Sequence, residues 1–263
     1  MDDTQPFTHA YLEEQGNGRL GQEEKLLRSE LDRQGIPVTL YTAKRMLRRQ
    51  LPLGRTCFVA GDMTAMHGAM RQLGIEPPVP NDYPECLRSY LHRKVWTSTL
   101  AAVERRVYEG DGLPVFAKPA ERRKSFTGRV FASPNDLYAV AGTSRREPVW
   151  CSEVVEWVSE YRVYVLGETI LAVDWYAGEP WMRLDRGVVE SAIADYRRSG
   201  TAPSAYGIDF GVLGSGETAL IEANDGYALG AYQIDASSYA ALVLTRWKEL
   251  LHTAKTQPKS SDL

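Results

Sequence analysis

The sequence lacks the features typical of secreted, membrane-spanning or nucleic-acid-binding proteins. Its 263 residues include three cysteines, widely separated and without Cys-x-x-Cys spacing, so neither a disulfide framework nor a zinc site is predicted. No apolar run approaches the roughly 20 residues that a membrane span needs. A formal net charge of −3 gives no general attraction to nucleic acid or to an anionic membrane. We therefore expect a cytoplasmic protein whose partners are small.

Several common catalytic signatures are missing as well. The sequence has no GxxxxGK[ST], no HExxH and no GxSxG, and its four histidines are scattered, so a histidine-dependent nucleophile or metal cluster is not predicted. The run Gly16-x-Gly18-x-x-Gly21 matches the dinucleotide-binding fingerprint as text. Because the residues before it do not have the pattern of a strand, we interpret this match as chance.

The composition nevertheless predicts a well-packed protein. Hydrophobic residues make up 43% of the chain, enough for a sizeable core. Residues 1–21 lack periodicity and predict a flexible tail, whereas residues 22–90 alternate strand-like and helix-like stretches and predict a small α/β lobe. A proline-rich connector at residues 77–84 leads onward, and residues 256–263 predict a polar tail.

Residues 91–255 predict a second, larger domain of mixed α+β class. Strand-like runs joined by short turns dominate it, and we divide it into a small lobe at about 113–155 and a large lobe at about 156–255. The predicted strands are 115–118, 128–131, 149–158, 161–166, 169–176, 205–213 and 218–223, and the predicted helices are one carrying Arg93 and Lys94, then 97–108, 135–140, 188–198 and 238–251.

The last two predicted strands carry the most informative side chains. Asp209 lies on one strand, and Glu222 and Asn224 share one face of the next because side chains alternate along a strand. Two carboxylates and an amide oxygen form a hard, oxygen-only ligand set suited to Mg²⁺. Taken alone, the three residues are equally compatible with an ordinary polar hairpin rim.

A lysine ends an apolar strand in the run Phe116-Ala-Lys118-Pro119. A lysine in that place can direct its charge at a phosphate in a cleft. The basic loop that follows, which contains Lys124, could close over a triphosphate, although a solvated hairpin turn is the ordinary explanation of such a run.

The segment from Trp150 to Arg162 places charges in an apolar, strand-forming context. Backbone groups near Val155 could face an adenine edge, and Glu153 and Glu160 could accept hydrogen bonds from ribose hydroxyls. Cross-strand ion pairs are the alternative explanation, because charges in such a strand need partners.

Taken in order, these features resemble the ATP-grasp superfamily over most of residues 90–235. Ile221-Glu-Ala-Asn224 matches the family's Glu-x-Asn strand, and its glutamate follows Asp209 by 222 − 209 = 13 positions, a spacing similar to that of the family's metal carboxylates. The resemblance implies two α+β lobes that clasp ATP and Mg²⁺. It implies phosphate contacts for Lys94, Lys118 and Lys124, nucleotide contacts for Glu153, Val155 and Glu160, and metal ligation by Asp209, Glu222 and Asn224.

Within the superfamily the chain is most similar to a small, poorly characterised subgroup that is also found in phages. That subgroup has a short N-terminal lobe and a Glu-Tyr-Arg run, which Glu160-Tyr161-Arg162 matches here. The match implies that Arg162 contacts phosphate or the acceptor substrate. The long insertions of larger ATP-grasp ligases are absent, which leaves the substrate open.

The resemblance also implies a reaction. A small-molecule or peptide carboxylate would attack the γ-phosphate of ATP, and an amine-type nucleophile would displace phosphate from the resulting acylphosphate. Arg183 is a candidate to clamp the carboxylate, with a surface role as the equal alternative, and Tyr227, Tyr232 and Gln233 are candidates for the acceptor pocket. Phosphoryl transfer to another acceptor, or nucleotide binding without chemistry, are the competing hypotheses, and a homodimer is compatible with each.

Overall fold

The computed structural model describes residues 7–112, 114–120 and 125–256 of the chain. Three parallel strands, β1 (His9–Glu13), β2 (Val38–Tyr41) and β3 (Cys57–Ala60), form the first sheet in the order β2-β1-β3. The expectation of a loose tail was therefore wrong for residues 9–13, which form the central strand. A five-residue strand is too short to show a periodic pattern, and β1 depends on hydrogen bonds to neighbours on both sides.

The C-terminal helix completes the core of this N-terminal lobe. The lobe has its own helices α1 (Gln22–Arg33), α2 (Ala43–Leu47) and α3 (Met63–Gln72), and α6 (Ala236–Thr256) packs into the same hydrophobic cluster. Trp247 of α6 is fully buried, and its indole N–H donates to the Cys57 carbonyl at 2.9 Å. The first and last parts of the chain are thus one packing unit.

No helix in the described part of the chain is long and apolar enough to cross a lipid bilayer.

A four-stranded antiparallel sheet forms the small lobe. It contains β4 (Val95–Thr99), β5 (Val115–Pro119), β6 (Arg129–Phe131) and β7 (Pro148–Glu153) in the order β4-β7-β5-β6, and α4 (Leu100–Glu109) covers it. This lobe begins at β4 and not near residue 113 as expected. The helix expected from residue 97 begins only at Leu100, because the Thr99 hydroxyl caps it by accepting from the Ala102 N–H.

The large lobe is a second antiparallel sheet. Its strands β8 (Trp157–Leu166), β9 (Thr169–Gly178), β10 (Ala205–Leu213) and β11 (Thr218–Asp225) lie in the order β11-β10-β8-β9, and α5 (Arg186–Arg198) packs with them in one hydrophobic cluster. The strand expected over residues 149–158 is interrupted at 154–156, where the chain passes from one sheet to the other. Two 3₁₀ segments, Glu85–Tyr90 and Pro134–Val140, complete the connections around the small lobe.

Candidate active site

The β10–β11 hairpin brings the three predicted metal ligands together. Asp209 pairs directly with Glu222, and Asn224 lies two positions further along β11 on the same face. The amide nitrogen of Asn224 lies 3.0 Å from Glu222 Oε1 and 3.4 Å from Asp209 Oδ2. The side-chain oxygens of two strands therefore converge on one point of the large-lobe sheet.

Arg162 holds Asp209 from the neighbouring strand β8. Its guanidinium donates to both carboxylate oxygens, at 2.8 Å from Nε and 2.7 Å from the terminal nitrogen. Only 4% of the Asp209 side chain is exposed. Burial raises the pKa of Asp209 to about 6, and the ion pair with Arg162 opposes this rise. The pair presents a carboxylate at the centre of the sheet and keeps it in one orientation.

Lys118 reaches this cluster from the small lobe. Its ammonium group pairs with Glu222 Oε2 and with Asp82 Oδ2, the latter at 2.7 Å, and lies 4.6 Å from the ring centre of Tyr83. Burial lowers the pKa of Lys118, but Glu222, Tyr83 and Asp82 together outweigh burial and raise it. The lysine therefore remains charged between the two lobes.

The chemistry of this donor set fits a hard divalent cation. In the described ranges, no group of three or more His, Cys, Asp or Glu side chains could hold a metal ion. Asp209 and Glu222 with the Asn224 amide supply two carboxylates and one further oxygen, which suits Mg²⁺ because that ion commonly takes one or two protein carboxylates and completes its shell with substrate phosphates and water. The arrangement fits a cation delivered together with a phosphate chain.

The predicted nucleotide-contacting residues lie around the crossing between the lobes. Lys94 is exposed in the irregular segment before β4 instead of in the expected helix, and its ammonium group lies 3.8 Å from Glu153 Oε1. Glu153 also accepts from the Lys94 backbone N–H at 2.9 Å. Val155 is half-buried in the crossing itself, and Glu160 accepts from the Tyr176 hydroxyl at 3.1 Å. The structure does not bring Lys94 into the ion pairs of Lys118.

Two further predicted cations lie apart from this arrangement or cannot be placed. Lys124 lies outside the described residues. Arg183 is exposed between β9 and α5, and none of the described hydrogen bonds or ion pairs joins it to Asp209, Glu222 or Asn224. The clamp proposed for Arg183 receives no geometric support from these contacts.

The residues after β11 border two cavities. One, of about 280 Å³, is lined by Arg162 and Asn224 among others. The other, of about 370 Å³, shares the 227–230 loop with it and lies beside β1. The Gly16–Gly21 run does follow a strand, contrary to our expectation, but the second cavity is lined by four carboxylates, which do not favour a phosphate; these are Glu13, Glu23, Glu24 and Asp62.

The three polar residues predicted for an acceptor pocket have mixed positions. Tyr227 is buried, lines both cavities and lies within 2.8 Å of a ring nitrogen of His67. Tyr232 stacks on Tyr176, and the Arg162 guanidinium lies 5.2 Å from the Tyr232 ring centre. Gln233 donates its backbone N–H to Asp174. Tyr227 is thus the one that borders a cavity, and Tyr232 supports Arg162.

Sequence reasoning missed three residues that shape this cluster. Asp82 and Tyr83 come from the proline-rich connector and contact Lys118. Arg93 donates to the backbone carbonyls of Leu220 and Ile221 at 2.7 and 3.0 Å, which ties the segment before β4 to β11. A rigid connector with polar residues was the only signal for Asp82 and Tyr83, and it says nothing of their partners.

Comparison with known families gives a match to the profile of an ATP-grasp domain, the second family of its clade, over residues 90–242, more than half of the chain. A comparison with curated protein sequences gave no match.

Solved structures share the fold at low sequence identity. The D-alanine–D-alanine ligase of Bacillus anthracis complexed with ATP has a TM-score of 0.58 and 13% identity, with 94% of this chain and 99% of that chain covered. The RimK domain ATP-grasp protein of Sphaerobacter thermophilus has a TM-score of 0.55 and 15% identity, covering 89% and 99%. The macrocyclase MdnC of Microcystis aeruginosa, bound with precursor peptide MdnA, has a TM-score of 0.55 and 12% identity, covering 90% and 99%.

Proposed function

Because the chain belongs to the ATP-grasp family, we propose that it is an ATP-dependent ligase that joins a carboxylate to an amine. The contact of Lys118 with Glu222 carries this proposal. It sets a buried cation of the small lobe against a carboxylate of the large lobe, at the cleft where the family binds its nucleotide. A cation and a metal-type carboxylate at one point suit a phosphate chain that brings Mg²⁺ with it.

The residues have distinct roles in this proposal. Asp209, Glu222 and Asn224 hold Mg²⁺, which neutralises charge on the phosphates when it is bound. Lys118, with Lys94 and Lys124, binds phosphate oxygens, and Arg162 keeps Asp209 in position. The remaining contacts, to adenine and ribose, come from Glu153, Val155 and Glu160.

The proposed chemistry proceeds in two displacements. A carboxylate oxygen of the substrate forms a bond to the γ-phosphorus of ATP while the bond to the β,γ-bridging oxygen breaks, which gives an acylphosphate and ADP. The amine then forms a C–N bond, the C–O bond to phosphate breaks, and the amine releases a proton. Positioning and charge stabilisation supply the rate, because no covalent enzyme group is required.

The substrates follow from the same argument as a chemical class. The carboxylate belongs to a small molecule or a peptide, and Arg183, exposed near the end of the large-lobe sheet, is proposed to bind it. The solved relatives include a ligase of D-alanine and a macrocyclase bound with a precursor peptide, so both sizes of substrate occur on this fold. We further propose a cytoplasmic location, where ATP is abundant and the three free cysteines stay reduced.

Calorimetric titration with a non-hydrolysable ATP analogue, with and without Mg²⁺, tests the nucleotide site. Wild-type protein should bind more tightly with Mg²⁺, and Lys118→Ala should weaken binding by about tenfold to a hundredfold, the value of one or two charge-assisted hydrogen bonds. Lys44→Ala, which removes an exposed lysine of α2, is the matched control and should bind like wild type. Absence of Mg²⁺-dependent binding in wild type would contradict the proposal.

A screen of carboxylate and amine pairs tests the reaction itself. ADP release should require both substrates, and mass spectrometry should find a product that has lost one water relative to the pair. A phosphorylated product without a new amide would indicate a phosphotransferase instead. Nucleotide binding without ADP release for any pair would favour a non-catalytic module.

A further inference from the structure

Asp82 lies in the connector between the N-terminal lobe and the small lobe, outside the segment 90–242 that matches the family. It is nevertheless 5% exposed, and its carboxylate is 2.7 Å from the Lys118 ammonium nitrogen. A buried carboxylate is stable only when it is paired and hydrogen-bonded, so this contact is a specific feature of the fold.

The connector is held against both lobes at this point. The Asp82 carbonyl accepts from the Ala223 N–H at 2.9 Å, and Ala223 lies between Glu222 and Asn224 on β11, an edge strand of the large-lobe sheet. The next residue, Tyr83, lies under the Lys118 ammonium group and packs edge-on against Trp150 of β7. Asp82 is therefore positioned by the metal-binding strand on one side and by the small-lobe sheet on the other.

Lys118 contacts two carboxylates, and their expected tasks differ. Glu222 pairs with Lys118 through Oε2 and accepts from Asn224 through Oε1. If Glu222 binds Mg²⁺, its charge is no longer available to balance Lys118, which is only 9% exposed. Asp82 is not in the metal-ligand set, so it can stay on the lysine while Glu222 turns to the metal.

We propose that Asp82 is a positioning residue that balances and orients Lys118 so that Glu222 is released for Mg²⁺ when the nucleotide binds. This inference rests on the proposed nucleotide site. Its distinguishing consequence is that Asp82 supports the part of nucleotide affinity that depends on Mg²⁺. It does not support metal-free binding, because an extra carboxylate near the phosphates repels them.

The test compares full-length wild type with Asp82→Asn, titrating the non-hydrolysable ATP analogue with Mg²⁺ and again with a chelator. We expect the gain in affinity from Mg²⁺ to fall by about tenfold in Asp82→Asn, because Glu222 alone must then neutralise Lys118, whereas metal-free affinity is unchanged or higher. Asp82→Glu, which retains the charge, should recover part of the gain. Glu85→Gln is the matched control, since Glu85 lies in the same connector with 81% of its side chain exposed, and should keep the whole gain.

Other outcomes overturn the proposal in recognisable ways. Equal weakening of metal-free and Mg²⁺-dependent binding would indicate a purely structural role, equal strengthening would make Asp82 a competitor of phosphate, and no change in either would remove it from the site. If Asp82→Asn fails to fold, the smaller Asp82→Ser is measured in the same way. Failure of wild type to bind the analogue would overturn the proposed function along with this inference, whereas wild-type binding with an unaltered variant overturns this inference alone.

Discussion

Two buried arginine–aspartate pairs of the large lobe have nearly the same local geometry. Arg162 binds Asp209 with two hydrogen bonds of 2.8 and 2.7 Å, and Arg246 of α6 binds Asp225 with two of 2.7 and 2.6 Å. The arginine side chains are 11% and 9% exposed, and both line the cavity of about 280 Å³. By distance and burial alone, the two pairs are equivalent.

Their further contacts differ. Arg246 also donates to Glu249, which accepts from the backbone N–H and the hydroxyl of Ser204, so this network joins α6 to the segment before β10. Asp209 is instead contacted by Asn224, next to the Glu222 that meets Lys118 of the other lobe. The comparison teaches that the partners of a carboxylate, more than its ion pair, separate a structural site from a candidate catalytic one.

The largest expected effect is the loss of stability in Arg246→Met. Removing one partner of a buried ion pair leaves the other charge unbalanced and typically costs about 3–5 kcal/mol. We expect the lower end of that range, because 20% of the Asp225 side chain is exposed. Denaturant unfolding measures the loss. Affinity for the Mg²⁺–nucleotide analogue, measured on the folded variant, should stay at the wild-type value.

The control for this variant is Arg198→Met, which removes an arginine with 75% of its side chain exposed. It should change the free energy of unfolding by less than about 0.5 kcal/mol. If Arg246→Met instead weakens nucleotide binding while stability is kept, the structural interpretation of this pair is wrong, and the comparison between the two pairs no longer holds.

The second expected effect is on binding, in Glu222→Gln. Replacing a carboxylate ligand by a neutral amide should reduce the Mg²⁺-dependent part of nucleotide affinity on the order of a hundredfold. The loss of stability should be smaller than in Arg246→Met, because Asp82 still pairs with Lys118. Calorimetry with and without Mg²⁺ measures the first quantity, and unfolding measures the second.

Glu217→Gln serves as the control within the same hairpin, because that glutamate lies in the turn with 59% of its side chain exposed. Its nucleotide affinity should match wild type. Retained Mg²⁺ dependence in Glu222→Gln would refute the metal assignment.

The sequence predicted those parts of the molecule that depend on local patterns. The ATP-grasp fold is confirmed, and the order of its strands along the chain follows from alternation and turn residues. Alternation also places Glu222 and Asn224 on one face, and the hairpin then brings Asp209 opposite Glu222. The roles assigned to these residues remain predictions.

Contacts between distant parts of the chain could not be predicted in the same way. The pairing of Asp82 with Lys118 joins two lobes across a connector, and no periodicity reports it. The strand β1 depends on β2 and β3, and the lobe it belongs to depends on Trp247 near the other end of the chain. Such contacts are determined by tertiary packing, which overrides local propensity in short segments.

The smallest expected effect concerns the pH dependence of the structural network. Burial raises the pKa of Glu249, but hydrogen bonds from Ser204 and the charge of Arg246 outweigh it, so the pKa lies below its ordinary value of 4.5. A lowered pKa in the folded state adds stability above pH 4.5 and loses it as the pH falls through the folded-state value. Glu249→Gln should therefore be less stable than wild type near neutral pH, by less than about 1 kcal/mol because water screens a partly exposed pair.

This difference between Glu249→Gln and wild type should shrink on acidification, since glutamine does not titrate. Unfolding curves from about pH 7 to about pH 3 measure it. A difference that is independent of pH would mean that hydrogen bonding to Ser204, and not charge, is what Glu249 contributes. The pair formed by Arg246 and Asp225 would then resemble that of Arg162 and Asp209 more closely, each being one ion pair with a neutral neighbour, and only Lys118 and Glu222 would separate the two sites.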